Sequence, residues 1–253
     1  MSAFVFKAEK IFYSTPNHNI LLKDINFEYN EGDIVCLLGN NGAGKSTLIK
    51  ICAGILSASF GNILINKNNI KCIGKTQQSQ LISWLPQSLY RAENFNVIEF
   101  LSLNSLRVSK NMQKSNSELP FDFSNALRDF DILDQAKKEL ILLSGGEWKR
   151  VQLARLWLRK AKILFLDEPD GDLDLKHKIN LVGKCKEYAQ KNKAIIFITS
   201  HDIHFAKMVA NKICALNNGI FVWNSEADIF WSLNILQKLY GLNKNDENHF
   251  YSK

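Results

Sequence analysis

The chain has 253 residues, 46% of them hydrophobic, a length and apolar content that suit one compact unit with a subdomain rather than two domains. Its 32 basic and 25 acidic side chains leave a formal charge of +7. The excess is diffuse, with its densest group (Lys149, Arg150, Arg155, Arg159, Lys160) along one helix, which is weak evidence for a nucleic-acid partner and suits a protein working near anionic phosphates or lipid head groups equally well; no nucleic acid is expected.

Near the N-terminus Lys7, Glu9 and Lys10 interrupt the apolar stretch a signal peptide needs, and no later run approaches the roughly 18 apolar residues of a spanning helix. Five cysteines, odd in number and never closer than sixteen positions, exclude a disulfide framework and a CxxC metal pair, and imply a reducing compartment. No internal repeat is present. Short apolar runs rich in β-branched residues predict strands at Ile34–Leu38, Asn62–Ile65, Leu81–Leu85, Ile163–Leu166 and Ala194–Thr199. Several are followed by helical pattern, so the expected fold class is α/β, a P-loop core with a mainly parallel sheet. Between Ser88 and Lys160 the pattern turns helical, apart from a polar loop around Ser109–Glu118. This predicts an inserted helical subdomain at about 88–160, with the α/β core at about 1–87 and 161–253.

After the first of these strands, Gly39-Asn40-Asn41-Gly42-Ala43-Gly44-Lys45-Ser46 fits the phosphate-loop pattern GxxxxGK[ST], and a helical stretch follows at Thr47–Ala53. The glycines let backbone N–H groups converge on phosphate oxygens, and the helix N-terminus adds its positive end. Lys45 is expected to reach the β and γ phosphates and Ser46 to ligate Mg²⁺.

The stretch Leu143–Leu158 opens with Ser144-Gly145-Gly146-Glu147. Ser144 and Glu147, three apart before an apolar-periodic run, form a capping box. The two glycines cost about 1 kcal/mol each relative to alanine in a helix, a cost that makes sense where the backbone must approach a ligand closely. A capped, glycine-fronted helix start favours an anion by about 0.3 to 2 kcal/mol. Two phosphate cradles in one chain are reconciled if two copies pair head to tail, the Ser144-Gly145-Gly146 edge of one covering the phosphates held by Gly39–Thr47 of the other, with ATP as the glue.

Further on, Ile163-Leu164-Phe165-Leu166-Asp167-Glu168 reads as a buried strand ending in two carboxylates. Asp167 is expected to hold the Mg²⁺ shell and Glu168 to orient an attacking water. Near the C-terminus Asn243-Lys244-Asn245-Asp246 matches a guanine-reading pattern but follows no strand, and is read as a coincidence.

Taken together, these motifs resemble the nucleotide-binding subunit of an ATP-binding-cassette (ABC) transporter, in the right order over essentially the whole chain. The resemblance implies further roles. Gln87 matches the glutamine that ligates Mg²⁺ and senses the permease, and His201 the switch histidine that contacts the γ-phosphate. Tyr13 is most similar to the aromatic that stacks on adenine, with Phe12 the alternative, and Leu173-Asp174 ends the loop that crosses the dimer interface. Lys45, Glu168 and His201 are then the catalytic set. One departure is Asp170-Gly171-Asp172, in which Asp170 and Gly171 stand where the family usually carries small hydroxyl residues and Asp170 and Asp172 add negative charge; it puts rate and cooperativity in question but leaves Glu168 intact.

Trp148, the single cassette without an added C-terminal domain and the tail Leu236–Asn243 resemble the ATPases of iron-siderophore, haem and cobalamin importers. That likeness implies a peripheral protein on the cytoplasmic face of the inner membrane. Its partners would be a second copy, a transmembrane permease whose helix enters a groove near Ser88–Phe100, and indirectly an extracytoplasmic binding protein. A soluble cassette protein of iron-sulfur assembly and an exporter ATPase are the alternatives.

Overall fold

A computed structural model describes residues 4–103, 121–232 and 235–240 of the chain. In chain order, β1 (Val5–Ser14), β2 (Ile20–Asn30) and β3 (Ile34–Leu38) lead into α1 (Lys45–Cys52), followed by β4 (Phe60–Ile65), β5 (Asn68–Asn69), α2 (Lys75–Leu81) and β6 (Ile82–Leu85). Next come α3 (Val97–Ser102), α4 (Phe121–Asp129) and α5 (Gly145–Leu158), with 3-10 turns at Leu133–Gln135 and Leu140–Leu142. The rest is β7 (Ile163–Asp167), α6 (Leu175–Lys191), β8 (Ile195–Thr199), α7 (Ile203–Val209), β9 (Lys212–Asn217), β10 (Ile220–Glu226), α8 (Ala227–Ser232) and α9 (Ile235–Tyr240). The expected polar loop at Ser109–Glu118 and the 243–246 motif lie outside the described residues, as does part of the Leu236–Asn243 tail.

Two sheets form. The larger has the order β10-β9-β3-β8-β7-β6, parallel from β9 to β6, with β10 antiparallel at one edge. Its central strands are continuous apolar runs because both faces are covered. Alternate residues go to opposite sides. Phe165 and Phe197 join one core cluster, while Leu164, Leu166, Ile196 and Ile198 join another. The first cluster also takes Phe6, Phe27 and Tyr29 from the second sheet and Leu48, Ile49, Ile51 and Cys52 from α1. The other cluster packs α3, α4, α5 and α6 against the opposite face through residues such as Phe100, Leu127, Leu153 and Leu181.

The second sheet, β2-β1-β4-β5, is antiparallel, and only its Asn62–Ile65 portion was expected from sequence. The reason is local. Lys10 and Asp24 take positive φ (51° and 49°), and the β1–β2 register shifts on either side of them, which breaks the strict alternation that marks a half-buried strand.

Among the described residues no helix is long and apolar enough to cross a membrane. All five cysteines are free, four of them buried.

Candidate functional site

Because β3, β8, β7 and β6 run parallel, their carboxyl ends share one edge of the sheet, where open α/β sheets bind ligands. The phosphate loop leaves β3 at that edge and enters α1 at Lys45. Its glycines answer to specific neighbours. A Cβ on Gly39 would meet Leu216 O at 2.2 Å, and one on Gly44 (φ 104°) would meet Leu21 O at 2.9 Å. The loop is thus wedged between β9 and β2 with its backbone drawn tight, as a phosphate cradle requires. Lys45 is buried, and its Nζ donates to Gly39 O at 2.7 Å and Asn40 O at 3.1 Å. Burial lowers its pKa, opposed by the charges of Glu168 and Asp167. Ser46 and Thr47 follow in the first turn of α1, Ser46 exposed.

Asp167 ends β7, 4% exposed, and its register partner in β8 is Thr199. Thr199 Oγ1 donates to Asp167 Oδ1 at 2.6 Å. Glu168 follows with φ 50°, a left-handed conformation uncommon outside glycine. Its backbone N–H donates to Thr199 O and Thr199 Oγ1, which holds the turn. The Glu168 carboxylate then meets both residues assigned by resemblance from distant loops. Gln87 Nε2 donates to its Oε2 at 3.0 Å, and His201 Nε2 lies 3.0 Å from its Oε1.

The capping box stands as expected: Ser144 Oγ accepts from Glu147 N at 3.2 Å and Glu147 Oε2 from Ser144 N at 2.7 Å. These bonds, with that from Lys138 Nζ, hold the Glu147 carboxyl below its usual range. Among the described residues no hydrogen bond or ion pair joins Ser144–Glu147 to the phosphate loop of the same chain. The two glycines differ. A Cβ on Gly146 would sit 2.9 Å from Asp172 O, whereas one on Gly145 would make ordinary contact with the Asp172 side chain at 3.6 Å. Part of the glycine requirement is therefore internal, set by the loop after Glu168 rather than by a ligand.

That loop carries the unusual Asp170. It is buried, its Oδ2 accepts from Ser200 Oγ at 2.9 Å, and its Oδ1 has no partner among the described residues. Burial raises its pKa, with the Ser200 bond and Lys178 opposing. Leu173 is buried and Asp174 caps α6, accepting from His177 N at 2.9 Å. Tyr13 is half-buried in β1 opposite Leu22, and Phe12 pairs with Phe60 of β4. Trp148 is buried against Phe100 with its indole N–H on Leu89 O, the setting of a packing residue.

Sequence reasoning missed Thr199, whose only signal was a polar residue ending an apolar strand beside Asp167. It also missed the docking of α9 on the phosphate loop, where Asn40 Nδ2 donates to Leu239 O at 3.2 Å.

The donors present fit a magnesium nucleotide. Backbone N–H groups in a glycine cradle and a buried ammonium suit phosphate oxygens, and the Ser46 hydroxyl, Gln87 amide and Asp167 carboxylate are hard oxygen donors of the kind Mg²⁺ takes. A separate groove of about 500 Å³ runs along the outermost strand β6, with Lys75, Trp84, Leu89, Phe100, Arg155 and Arg159 on its walls. Only Leu89 and Phe100 among these come from the span expected to receive a permease helix.

A family model described as ABC transporter matches residues 22–171. The chain is 36% identical over 210 residues to the hemin import ATP-binding protein of Hahella chejuensis, covering 80% of this chain and 79% of that one. It also superposes on an inward-facing ABC transporter assigned to the metal-chelate type, with a TM-score of 0.75, 25% identity and coverage of 94% and 90%. A bacterial Atm1-family ABC exporter with ATP bound gives a TM-score of 0.79 at 18% identity, covering 95% of this chain and 42% of that one, a likeness of fold alone.

Proposed function

The chain belongs to the ABC transporter family, and we propose that it is the ATP-hydrolysing subunit of an importer, closing as a head-to-tail pair around two MgATP to drive a metal chelate through a membrane permease. The observation that carries the ATPase chemistry is the Glu168 carboxylate held between Gln87 Nε2 and His201 Nε2, each at 3.0 Å, beside the buried Asp167.

In this reading the backbone of Gly39, Asn40, Asn41, Gly42, Ala43 and Gly44 binds the phosphates, and Lys45 exchanges its own loop carbonyls for the β and γ oxygens. Tyr13 stacks on the adenine. Ser46, Asp167 and Gln87 would hold Mg²⁺, which would supply positive charge against the charge developing on the phosphates. Glu168 orients and deprotonates the attacking water, and His201 contacts the γ-phosphate. Ser144, Gly145 and Gly146 of the second copy, capped by Glu147, close the site with backbone donors. A metal-chelate cargo, with haem one member of that class, is supported by the hemin-import relative.

The permease contact is assigned to the groove between α2, β6 and α5. Its walls carry Lys75, Arg155 and Arg159 around an apolar floor, which suits an amphipathic segment. The helices α3 to α5, at about 88–160, would then move as a unit against the core at about 1–87 and 161–253, and closure would reach the groove through Gln87. In this reading the protein sits at the cytoplasmic face of the membrane, held there through its permease partner.

The test is to tag the protein in its native cell, solubilise membranes gently and identify what copurifies. A stoichiometric polytopic permease supports the importer reading, with uptake assays on reconstituted vesicles separating import from export. Soluble partners alone would overturn it in favour of an assembly ATPase.

A further inference from the structure

Lys149 lies in the second turn of α5 and is 5% exposed. Burying an ammonium is costly unless it is paired, yet Lys149 makes no ion pair among the described residues. Its Nζ faces two peptide carbonyls, Gln87 O at 3.4 Å and Glu168 O at 3.3 Å. At these lengths the attraction is that of a cation for two carbonyl dipoles, which gains strength where water is excluded. Burial lowers the Lys149 pKa, and Asp172, Asp170, Glu168 and Asp167 oppose that shift from farther off, so four carboxylates favour the charged form.

The two carbonyls belong to residues whose side chains meet. Gln87 and Glu168 are 81 positions apart and joined through amide and carboxylate at 3.0 Å. The Glu168 backbone is held in a left-handed turn, its N–H on Thr199 and its carbonyl shared by Lys149 and the N–H of Gly171. From α5, then, one ammonium touches the main chain of both partners. The same helix begins with the Ser144–Gly146 edge.

We propose that Lys149 is a positioning residue of the ATPase site, tying the main chain of Gln87 and Glu168 to α5 so that their side-chain contact forms only when the helix is seated. The inference rests on the reading of Glu168 given above. A purely structural role would predict loss of folding rather than of turnover.

The experiment compares Lys149→Met, Lys149→Gln and Glu168→Gln, each in the form that purifies from membranes, for ATP hydrolysis, ATP binding and thermal unfolding. Lys149→Met should lower kcat about tenfold or more while the Kd for ATP and the unfolding midpoint stay near wild type. Lys149→Gln, whose amide still donates toward the carbonyls, should return kcat to within about threefold. Turnover of Lys149→Met within about twofold of wild type overturns the inference, as does a glutamine variant as slow as the methionine one. If Lys149→Met does not fold, Lys149→Ala takes its place and is read by the same criteria: a fall in kcat of about tenfold or more with normal unfolding supports the role, and turnover within about twofold of wild type overturns it. A Glu168→Gln protein that hydrolyses normally would instead remove the reading of Glu168. Loss in Glu168→Gln with normal Lys149→Met removes Lys149 alone.

Discussion

Gln87 Nε2 donates to Glu168 Oε2 at 3.0 Å, although one residue follows the edge strand β6 and the other the more central β7. Parallel pairing of those strands brings the two turns together, and His201, after β8, completes the contact from the other side. Glu168 is thus held at the sheet edge by side chains from two other turns, the fixed aim that its proposed role in orienting a water would need.

Glu168→Gln keeps the shape and the capacity to hydrogen-bond but removes the base. Turnover should fall by about 10²- to 10⁴-fold while ATP binding persists. Size-exclusion chromatography with MgATP should then show an accumulated dimer. Hydrolysis near the wild-type rate would end the assignment of Glu168.

Ser144→Arg should prevent closure between copies while sparing nucleotide binding to one. It also removes the cap on α5, costing about 1 kcal/mol of stability, so the unfolding midpoint should drop modestly. Robust ATP-driven dimers of this variant would rule out the shared site.

The neighbouring glycines should separate. Gly145→Ala adds a methyl into ordinary contact and gains helix propensity of up to about 1 kcal/mol. Gly146→Ala drives a Cβ to 2.9 Å from Asp172 O, so it should shift the loop after Glu168 and forfeit that gain. Denaturant unfolding of both variants reads the difference. Equal stabilisation would show that the Asp172 carbonyl yields freely.

Asp170 supplies a pH test. Burial raises its folded pKa above the unfolded value, so its contribution to stability is full below the unfolded pKa and is lost as pH rises through the folded one. Asp170→Asn, with the amide oxygen accepting from Ser200, should therefore stabilise the protein at pH 7, and the advantage should shrink as pH falls toward 4. An advantage independent of pH would show that the carboxylate is not the cause.

Much of the site was legible because its motifs are local. Gly39–Ser46 and Ser144–Glu147 each do their work within one turn of chain, so spacing alone identifies them, and both take the expected conformation. The strand Ile34–Leu38 was readable to its ends because burial on both faces leaves an unbroken apolar run. β1 and β2 were not readable, since backbone irregularities at Lys10 and Asp24 break the alternation that would have announced them.

Sequence by itself determined the glycine-rich loop after β3, the carboxylates ending β7, the capped glycine start of α5 and, through their order, the family. Tertiary structure alone decided that Thr199 steadies Asp167, that Gly146 faces Asp172 O and that Lys149 reaches the carbonyls of Gln87 and Glu168. The difference is one of range. A motif is written in neighbouring residues with fixed local geometry, whereas these contacts join turns brought together by strand order and helix packing, which no local spacing encodes.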